Sequence, residues 1–290
     1  MNLQEFKKEF DIQLKNFLDN KIEQIKSYTK DPHVIDYLNH ANLIALSGGK
    51  RVRPFIAYLS YSAFREKNSP ANEETIKFLI SLEIFHLFAL IHDDIMDKDK
   101  LRHGISTSQF YIENELKRKG NKDSKHIGIS QAILVGDLFF NWAWEIISSN
   151  NQKIVSNFFS EMVEGTISGQ MLDIESKNED LTQDLMHQIN YLKTARYSFI
   201  YPLLIGASLA KNLTNDETKF LKELGLSLGI AFQTQDDIFD SDNKSQIESQ
   251  NKIIKTNMEN AKKLIEKSKM EKGYKEKFLE FIKTIEKRRF

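Results

Sequence analysis

The sequence predicts an all-α protein, and three observations support this fold class. Only 4 prolines and 12 glycines interrupt the 290 residues, which leaves long runs of good helix formers. Apolar residues recur at helical spacing, for example at Leu221, Leu224 and Leu228. Alternating strand-like patterns are scarce, and neither Asn-Gly nor Asp-Gly marks a hairpin. We therefore expect roughly ten or more helices in a single domain covering residues 1–290.

Polar and turn-forming stretches divide the chain into these helices in order. The predicted breaks are residues 30–32, 67–72, 119–124, 148–152, 177–182, 212–216 and 241–249. Ser69 with Pro70, and residues 214–216, have the composition of helix starts. The C-terminal segment, residues 250–290, is rich in lysine and glutamate, and we interpret it as basic amphipathic helix with a solvated face.

The composition excludes several classes of protein. The absence of cysteine rules out disulfides, thiolate zinc sites, iron–sulfur clusters and a cysteine nucleophile. The 41 basic and 41 acidic residues balance, which argues against a nucleic-acid partner. The first ten residues have no apolar signal core, and the apolar stretches 78–92 and 133–147 are short and carry charged residues. We therefore expect a cytoplasmic protein with no membrane span.

Two acidic clusters, HDDIMD and QDDIFD, share the form DDxxD and follow apolar helical runs. On a helix, Asp93 and Asp97 point the same way, as do Asp236 and Asp240. Like charges at this spacing repel each other unless a cation lies between them. A single cluster is explained equally well as a solvated helix end, but two matching clusters favour metal binding. Oxygen ligands without cysteine indicate a hard cation, Mg²⁺ rather than Zn²⁺, and Mg²⁺ shares its coordination with substrate phosphates.

Basic residues suited to phosphate binding also occur in groups. Residues 48–54, GGKRVRP, place a glycine pair before three cations, and backbone N–H groups beside cations suit a diphosphate. Arg102 and His103 follow the first acidic cluster, and Lys193 and Thr194 precede another apolar helix. A lone basic turn is usually surface, but the glycine pair favours a phosphate site.

With these motifs in this order, the sequence resembles the polyprenyl synthetase family, the trans-isoprenyl diphosphate synthases that make farnesyl and geranylgeranyl diphosphate. The matching segments are GGKRVRP, EIFHLFALIHDDIMD, GQMLD, KTARYSFIYP and FQTQDDIFD, within a motif-bearing core of residues 45–240. The resemblance implies an isoprenoid synthase-type helical bundle around a deep central cavity, and a homodimer. It also implies isopentenyl diphosphate and an allylic diphosphate as substrates.

The resemblance implies a metal site and a catalytic set. Asp93 and Asp97 would bind two Mg²⁺ ions and Asp236 a third, which gives three ions when the diphosphate is bound. The implied catalytic residues are Asp93, Asp94, Asp97, Arg102, Lys193, Asp236, Asp237 and Asp240.

The resemblance likewise assigns the substrate-binding residues. The implied ligands of the allylic diphosphate are Arg102, Lys193, Thr194 and Gln233, and those of isopentenyl diphosphate are Lys50, Arg53, His86 and His103. Asp173 would orient Lys193, with Gln170 beside it. Helical geometry supports His86 independently, because it lies seven residues before the first aspartate of HDDIMD and nearly on the same face. A satisfied core histidine is the alternative.

Side chains that precede the first acidic cluster should set the length of the product. Ala89, one turn before Asp93, is small, while Phe88 and Phe85 lie further down the helix. In the family, an aromatic residue at the position of Phe88 accompanies short products. We expect a C15 to C20 product, with C20 favoured because Ala89 is small. Both phenylalanines are also compatible with a role in the core alone.

Two departures from the family pattern leave alternatives open. His103 stands where the family usually has arginine, which predicts a pH-dependent isopentenyl diphosphate site. After Asp240 the chain lacks the usual glycine-flanked lysine and is shorter than in the family; Lys244 is a possible substitute. The favoured function is an active short-chain prenyltransferase, and the alternative is a non-catalytic or regulatory subunit of a synthase. A possible counterpart of the family's basic C-terminal end is Lys287, Arg288 and Arg289.

A helical di-iron carboxylate protein is the third function class. Glu83 and His86, and Asp184 and His187, have the spacing of Glu-x-x-His ligand pairs. The second pair has aspartate in place of glutamate and lies in a polar stretch, so this class is disfavoured.

Overall fold

The computed structural model describes residues 1–66, 73–149, 152–177, 182–239 and 244–286. These residues form twelve α-helices, one π-helical segment and one small hairpin, which confirms the all-α fold class. The helices are α1 (Leu3–Tyr28), α2 (Pro32–Ser47), α3 (Val52–Phe64), α4 (Glu73–Asp97), α5 (Ser108–Arg118), α6 (Ser124–Ser148), α7 (Lys153–Ser176), α8 (Gln183–Asn190), α9 (Tyr201–Ala210), α10 (Asn215–Phe239), α11 (Lys244–Lys267) and α12 (Lys272–Glu286).

Local capping chemistry explains where several helices begin. Asp31 caps α2 by accepting the N–H of His33 at 2.8 Å, and Pro32 occupies the first turn. At α10, Thr214 Oγ1 accepts the N–H of Glu217 at 3.2 Å, while the Glu217 carboxylate accepts the N–H of Thr214 at 2.9 Å. This reciprocal pair is a capping box. The predicted breaks at 30–32, 119–124, 148–152, 177–182 and 212–216 are confirmed by the helix ends.

Two other predicted breaks have different outcomes. The break at 67–72, with Ser69 and Pro70, lies outside the described residues. The break at 241–249 is wrong over most of its length, because α11 begins at Lys244. A polar composition alone did not distinguish the first turns of a helix from a loop.

A two-stranded hairpin follows α4, although the sequence analysis expected none. Strand β1 (Leu101–Arg102) pairs antiparallel with β2 (Ile105–Ser106). The two connecting residues, His103 and Gly104, have φ angles of 53° and 78°. Positive φ at both positions gives the tight turn that suits a hairpin twist, and here histidine takes the place that asparagine usually fills.

A π-helical segment, Tyr191–Ile200, lies between α8 and α9 and carries two predicted site residues. The sequence analysis placed no helix break here and did not identify a π-helical segment. Its wider turns rotate the side chains that follow it relative to those before it. Such segments are frequent at functional sites.

The chain divides into two compact units, each described here by itself. Unit 1 comprises Met1, Leu3–Arg51 and Asn72–Ser149, and unit 2 comprises Asn2, Val52–Ala71 and Asn150–Phe290. In unit 1, α4 and α5 pack on α6, and α1 packs on α2 and α4. In unit 2, α3 packs on α9, and α10 packs on α11 and on the π-helical segment. The single-domain organisation stays a prediction.

Helix α4 supplies much of the core of unit 1. Its residues Phe78, Leu82 and Phe85 are almost completely buried. Within the described part of the chain, Thr75–Asp97 is long and apolar enough to cross a membrane, contrary to the expectation that 78–92 is too short. However, 61% of its most apolar window is buried inside the protein. The core of a soluble fold produces the same combination of length and composition.

Candidate active site

The glycine-rich turn between α2 and α3 presents Lys50 at the surface of unit 1. Gly49 has φ +84°, a backbone conformation that residues with a side chain rarely adopt. A Cβ atom added to Gly48 would lie 2.6 Å from the ring of His103. The turn therefore passes directly against the hairpin, and only glycine leaves room for this approach. Lys50 is exposed and lies between Gly49 and Arg51.

Arg51 anchors this turn, a role that the sequence analysis did not assign. Its guanidinium is buried and donates from Nη1 to Glu83 at 2.6 Å and from Nε to Asp11 at 2.7 Å. Nη2 donates to the Ala45 carbonyl at 2.7 Å. Burial lowers the pKa of Arg51, but the two carboxylates outweigh burial and raise it. Its partners are 32 and 40 residues away, so no local pattern could have revealed this cluster.

At the end of α4, Asp94 holds Arg102. Asp94 is 2% exposed, and Arg102 Nε donates to its Oδ1 at 2.9 Å, with a second contact from Nη2. Burial raises the pKa of Asp94 to about 6 despite the neighbouring guanidinium. Arg102 Nη2 also lies 4.0 Å from Asp93 Oδ2. Asp94 thus acts through Arg102, whereas Asp93 is half-buried and Asp97 is exposed.

Gln109 and Thr107, which follow the hairpin, hold the end of α4 in place. Gln109 Nε2 donates to the carbonyls of Asp94 and Asp99 at 2.9 and 2.8 Å. Thr107 Oγ1 also donates to Asp99 O at 2.7 Å. The end of α4 and the hairpin that carries Arg102 and His103 are therefore one connected structure.

The predicted product-length residues belong to an aromatic cluster. Phe85 is buried, whereas Phe88 and Ala89 are half-buried. The Phe85 and Phe88 ring centroids are 5.5 Å apart. Phe140 of α6 lies 5.2 Å from Phe88 and 6.4 Å from Phe85, and His92 lies 4.7 Å from Phe88. The sequence analysis missed Phe140, because only tertiary packing brings α6 to this position. His86, also half-buried, lies on the same helix.

In unit 2, Lys193 and Asp173 are in direct contact. Lys193 Nζ lies 2.7 Å from Asp173 Oδ2, and each side chain is about one third exposed, at 30% and 29%. Gly169 permits the contact, since a Cβ there would lie 3.0 Å from the Lys193 backbone nitrogen. Helix α7 consequently approaches the π-helical segment closely one turn before Asp173. Gln170 is half-buried at the next position of α7.

Thr194 and Gln233 are also paired. Thr194 Oγ1 donates to Gln233 Oε1 at 2.5 Å. A Cβ added to Gly229, one turn before Gln233, would lie 2.4 Å from Ala195 Cα, so glycine again allows the helices to touch. Asp236, one turn after Gln233 near the end of α10, is half-buried.

Several predicted site residues lie beyond what the structure describes. Asp240 and the basic C-terminal residues 287–289 lie outside the described residues, as does the side chain of Asp237. The same holds for the side chain of Lys244. Their assignments stay predictions.

Arg53, the first basic residue of α3, stacks on an aromatic ring in unit 2. Its guanidinium carbon lies 4.2 Å from the centroid of the Tyr197 ring. Arg53 Nε is buried and makes no hydrogen bond within the described ranges. A phosphate oxygen is an acceptor that could satisfy this donor.

The carboxylates fit one kind of metal site and not another. Within the described residues, no group of three or more histidine, aspartate or glutamate side chains could form an all-protein metal cage. Asp93 and Asp97 supply only oxygen and sit one turn apart, which fits Mg²⁺ held by one or two carboxylates plus substrate phosphates. The Glu83 carboxylate is engaged by buried Arg51, which argues against its use as an iron ligand.

The predicted site residues divide between the units. Unit 1 carries Lys50, Phe85, His86, Phe88, Ala89, Asp93, Asp94, Asp97, Arg102 and His103. Unit 2 carries Arg53, Gln170, Asp173, Lys193, Thr194, Gln233, Asp236, Asp237 and Asp240. Contacts within each unit join Asp93 and Asp94 to Arg102, Asp173 to Lys193, and Thr194 to Gln233.

Comparison with known proteins identifies relatives of this chain in sequence and in structure. A family model described as polyprenyl synthetase matches residues 36–287. A short chain isoprenyl diphosphate synthase of Methanocaldococcus jannaschii is 30% identical over 233 residues, covering 78% of this chain and 63% of the relative. The octaprenyl diphosphate synthase of Escherichia coli is 30% identical over 220 residues, covering 76% of this chain and 60% of the relative. The chain thus spans less than two thirds of the length of these curated relatives.

A solved structure shares the fold over nearly the whole chain. The geranylgeranyl pyrophosphate synthase of Corynebacterium glutamicum superposes with a TM-score of 0.87 at 22% identity. The match covers 97% of this chain and 99% of that one. At this identity, the likeness establishes the fold alone.

Proposed function

The chain belongs to the polyprenyl synthetase family, and from that premise we propose that it is a short-chain trans-prenyltransferase. The proposed reaction condenses isopentenyl diphosphate with an allylic diphosphate, in the presence of Mg²⁺, to a C15 to C20 prenyl diphosphate and pyrophosphate. The product would be geranylgeranyl or farnesyl diphosphate.

One observation supports this proposal most directly. Buried Asp94 fixes the Arg102 guanidinium, whose Nη2 lies 4.0 Å from a carboxylate oxygen of Asp93. A rigid cation beside carboxylates suits a diphosphate whose charge is shared between a guanidinium and a metal ion. Because Asp94 already holds the Arg102 guanidinium in place, neither Arg102 nor the carboxylate of Asp93 has to move when the diphosphate binds. The arrangement is therefore preorganised for a leaving anion.

In unit 1, we assign Asp93 and Asp97 to Mg²⁺ and Arg102 to the allylic diphosphate. Lys50, His86 and His103 are assigned to isopentenyl diphosphate. Exposure of Lys50 on a turn with left-handed backbone at Gly49 supports its role, because a lysine beside glycine backbone in such a turn suits a phosphate.

In unit 2, we assign Lys193, Thr194 and Gln233 to the allylic diphosphate and Asp236 to a third Mg²⁺. Asp173 orients Lys193, because its Oδ2 lies 2.7 Å from the Lys193 ammonium. Arg53, with its buried and unsatisfied Nε, is assigned to isopentenyl diphosphate.

The chemistry requires charge stabilisation rather than a protein nucleophile. When bound, Mg²⁺ supplies Lewis-acid stabilisation of the negative charge on the departing diphosphate. The C–O bond of the allylic diphosphate breaks with both electrons on the leaving group, and the isopentenyl double bond forms the new C–C bond. A proton then leaves the isopentenyl carbon next to the former double bond, and pyrophosphate accepts it. Apolar side chains such as Phe88 keep water from the allylic cation.

The product length is proposed from the aromatic cluster that includes Phe85, Phe88 and Phe140. Phe88 and small Ala89 are half-buried and lie one turn before the first acidic cluster on α4, while the rings of Phe85 and Phe140 contact the Phe88 ring. Relatives that match equally well carry names of different product lengths, so overall identity does not decide the product.

Product analysis with labelled isopentenyl diphosphate tests the proposed function. The reaction is run with Mg²⁺ and a C5, C10 or C15 allylic diphosphate in parallel. We expect a C15 or C20 product that disappears with EDTA, returns with added Mg²⁺, and is absent with Asp93→Ala. A matched control is Asp19→Ala, which removes an exposed carboxylate from α1.

A folded protein that elongates no primer would contradict the proposal and favour the non-catalytic subunit. The short connection motivates this second outcome, because α10 ends at Phe239 and α11 begins at Lys244. The homodimer and the cytoplasmic location are proposed from the family resemblance. Exposed Ile133, Leu134 and Trp144 on α6, each 41–56% accessible, support self-association, and light scattering would measure it.

A further inference from the structure

Helix α1 lies outside the residues that the family model matches, yet it reaches the substrate-binding turn. The family model begins at residue 36, whereas α1 ends at Tyr28. Asp11, near the middle of α1, accepts a hydrogen bond from Arg51 Nε at 2.7 Å. Arg51 directly follows Lys50, the cation that the proposed function assigns to isopentenyl diphosphate.

Each nitrogen of the Arg51 guanidinium donates a hydrogen bond to a different helix. Nε donates to Asp11 of α1, Nη1 to Glu83 of α4 and Nη2 to the carbonyl of Ala45 in α2. The group is planar and rigid, so three acceptors in three directions fix both its position and its orientation. Its side chain is 1% exposed, and water cannot replace a lost partner easily.

The anchored side chain also constrains the backbone of the turn. Arg51 itself has φ +54°, a left-handed conformation that costs energy for a residue with a Cβ. A Cβ at Gly49 would meet Arg51 Nη1 at 2.7 Å, so the guanidinium folds back against the turn. Loss of one anchor would therefore let the backbone on both sides of Lys50 relax.

We propose that Asp11 is a positioning residue that sets the Lys50 turn for isopentenyl diphosphate by anchoring Arg51. This inference rests on the proposed function for its kinetic test. Asp11 suits the test better than Glu83, since its side chain is 27% exposed and Glu83 still neutralises the buried cation when Asp11 is removed. The fold should survive while the turn loosens.

The experiment compares Asp11→Ala with Asp11→Asn, which keeps an oxygen able to accept from Arg51 Nε. For Asp11→Ala, we expect the KM for isopentenyl diphosphate to rise about tenfold, with kcat and the KM for the allylic substrate within about twofold. Asp11→Asn should restore most of the affinity. Asp19→Asn is the matched control, because it removes an exposed ion-pair partner of Lys15 from the same helix.

Backbone hydrogen exchange of residues 48–52 provides a readout that does not depend on activity. Exchange should accelerate in Asp11→Ala but not in the Asp19 control. An unchanged isopentenyl diphosphate KM in folded Asp11→Ala, or a loss confined to kcat, would overturn the proposal. Should Asp11→Ala fail to fold, Asp11→Ser, whose hydroxyl is too short to reach Arg51, carries the same test.

The two readouts also separate this inference from the proposed function. If the wild-type protein forms no prenyl product, the proposed function fails and the exchange rates alone decide the role of Asp11. If the wild type is active and exchange in Asp11→Ala matches the wild type, only the positioning role fails.

Discussion

The two units hold the cations in and beside the predicted site in different ways. In unit 1, Arg51 and Arg102 are fixed by the almost completely buried carboxylates of Glu83 and Asp94. In unit 2, Lys193 pairs with Asp173, but both side chains are about one third exposed. Backbone geometry does more of the positioning there, because Gly169 and the π-helical segment bring the two residues together.

This difference predicts how each unit responds to mutation. A buried carboxylate that is removed leaves an uncompensated buried cation, so the substitution damages the fold as well as the site. A half-exposed carboxylate leaves a cation that water can solvate, so the substitution affects substrate binding with little loss of stability. Stability and activity should therefore change together at the buried carboxylates of unit 1, Glu83 and Asp94, and separately at Asp173 of unit 2.

The largest predicted effect is the loss of stability in Glu83→Gln. Glu83 is 2% exposed and neutralises Arg51, whose other carboxylate partner, Asp11, is shared with Lys7. We expect the free energy of unfolding to fall by about 3 kcal/mol in urea denaturation. Glu23→Gln, which breaks an exposed pair with Lys26, should change it by less than about 0.5 kcal/mol. If Glu83→Gln and Glu23→Gln lowered the free energy of unfolding equally, the proposed difference between buried and exposed carboxylates would be wrong.

The next effect is a loss of catalysis without a loss of stability in Asp173→Asn. The amide keeps the shape of the carboxylate and an oxygen that can accept a hydrogen bond, but it loses the negative charge that lies 2.7 Å from the Lys193 ammonium. We expect kcat/KM for the allylic diphosphate to fall about tenfold, and the free energy of unfolding to stay within about 0.5 kcal/mol. A destabilisation as large as that of Glu83→Gln would show that unit 2 relies on buried charge after all.

Product length should change when the aromatic cluster of unit 1 is opened. Phe140→Ala removes the ring that lies 5.2 Å from Phe88, so Phe88 gains room to turn away from the growing chain. We expect the main product to lengthen by one five-carbon unit, measured by chromatography of the dephosphorylated products. Trp144→Ala, an exposed aromatic one turn further along α6, should leave product length unchanged. If Phe140→Ala gives the same products as the wild type, Phe140 contributes only to packing and does not set product length.

The sequence predicted features that depend on near neighbours. The start of α10 was visible because Thr214 and Glu217 are three residues apart and cap each other. The hairpin was missed because His103, rather than asparagine, adopts the left-handed turn. The π-helical segment has no marker in local composition.

A long-range pair was predicted only where both partners belong to family motifs. The resemblance supplied Asp173 and Lys193 together. It did not supply Asp11 with Arg51 or Phe140 with Phe88, which are 40 and more residues apart and meet only through tertiary packing. A sequence pattern specifies which residue types carry the chemistry, but the groups that orient them depend on how helices pack.

The smallest predicted effect concerns His103, one of the three residues of unit 1 that we assign to isopentenyl diphosphate. Partial burial lowers the pKa of His103, and the positive charges of Arg102 and Arg51 lower it further from its ordinary value of 6.5. The imidazole is therefore neutral at pH 7 and becomes charged only as the pH falls below 6.5. A charged imidazole attracts the diphosphate, so its contribution to affinity should be absent above neutrality and appear on acidification.

His103→Arg and His103→Gln isolate that contribution. At pH 7.5, the KM for isopentenyl diphosphate should be similar in the wild type and in His103→Gln, and about threefold lower in His103→Arg, as expected for one exposed charge. As the pH falls toward 5.5, the ratio of the His103→Gln KM to the wild-type KM should rise, while the ratio of wild type to His103→Arg approaches one. Protonation of the substrate affects all three proteins equally and cancels in these ratios. A pH-independent ratio between wild type and His103→Gln would mean that His103 serves only to pack against Gly48, as its contact with that residue permits.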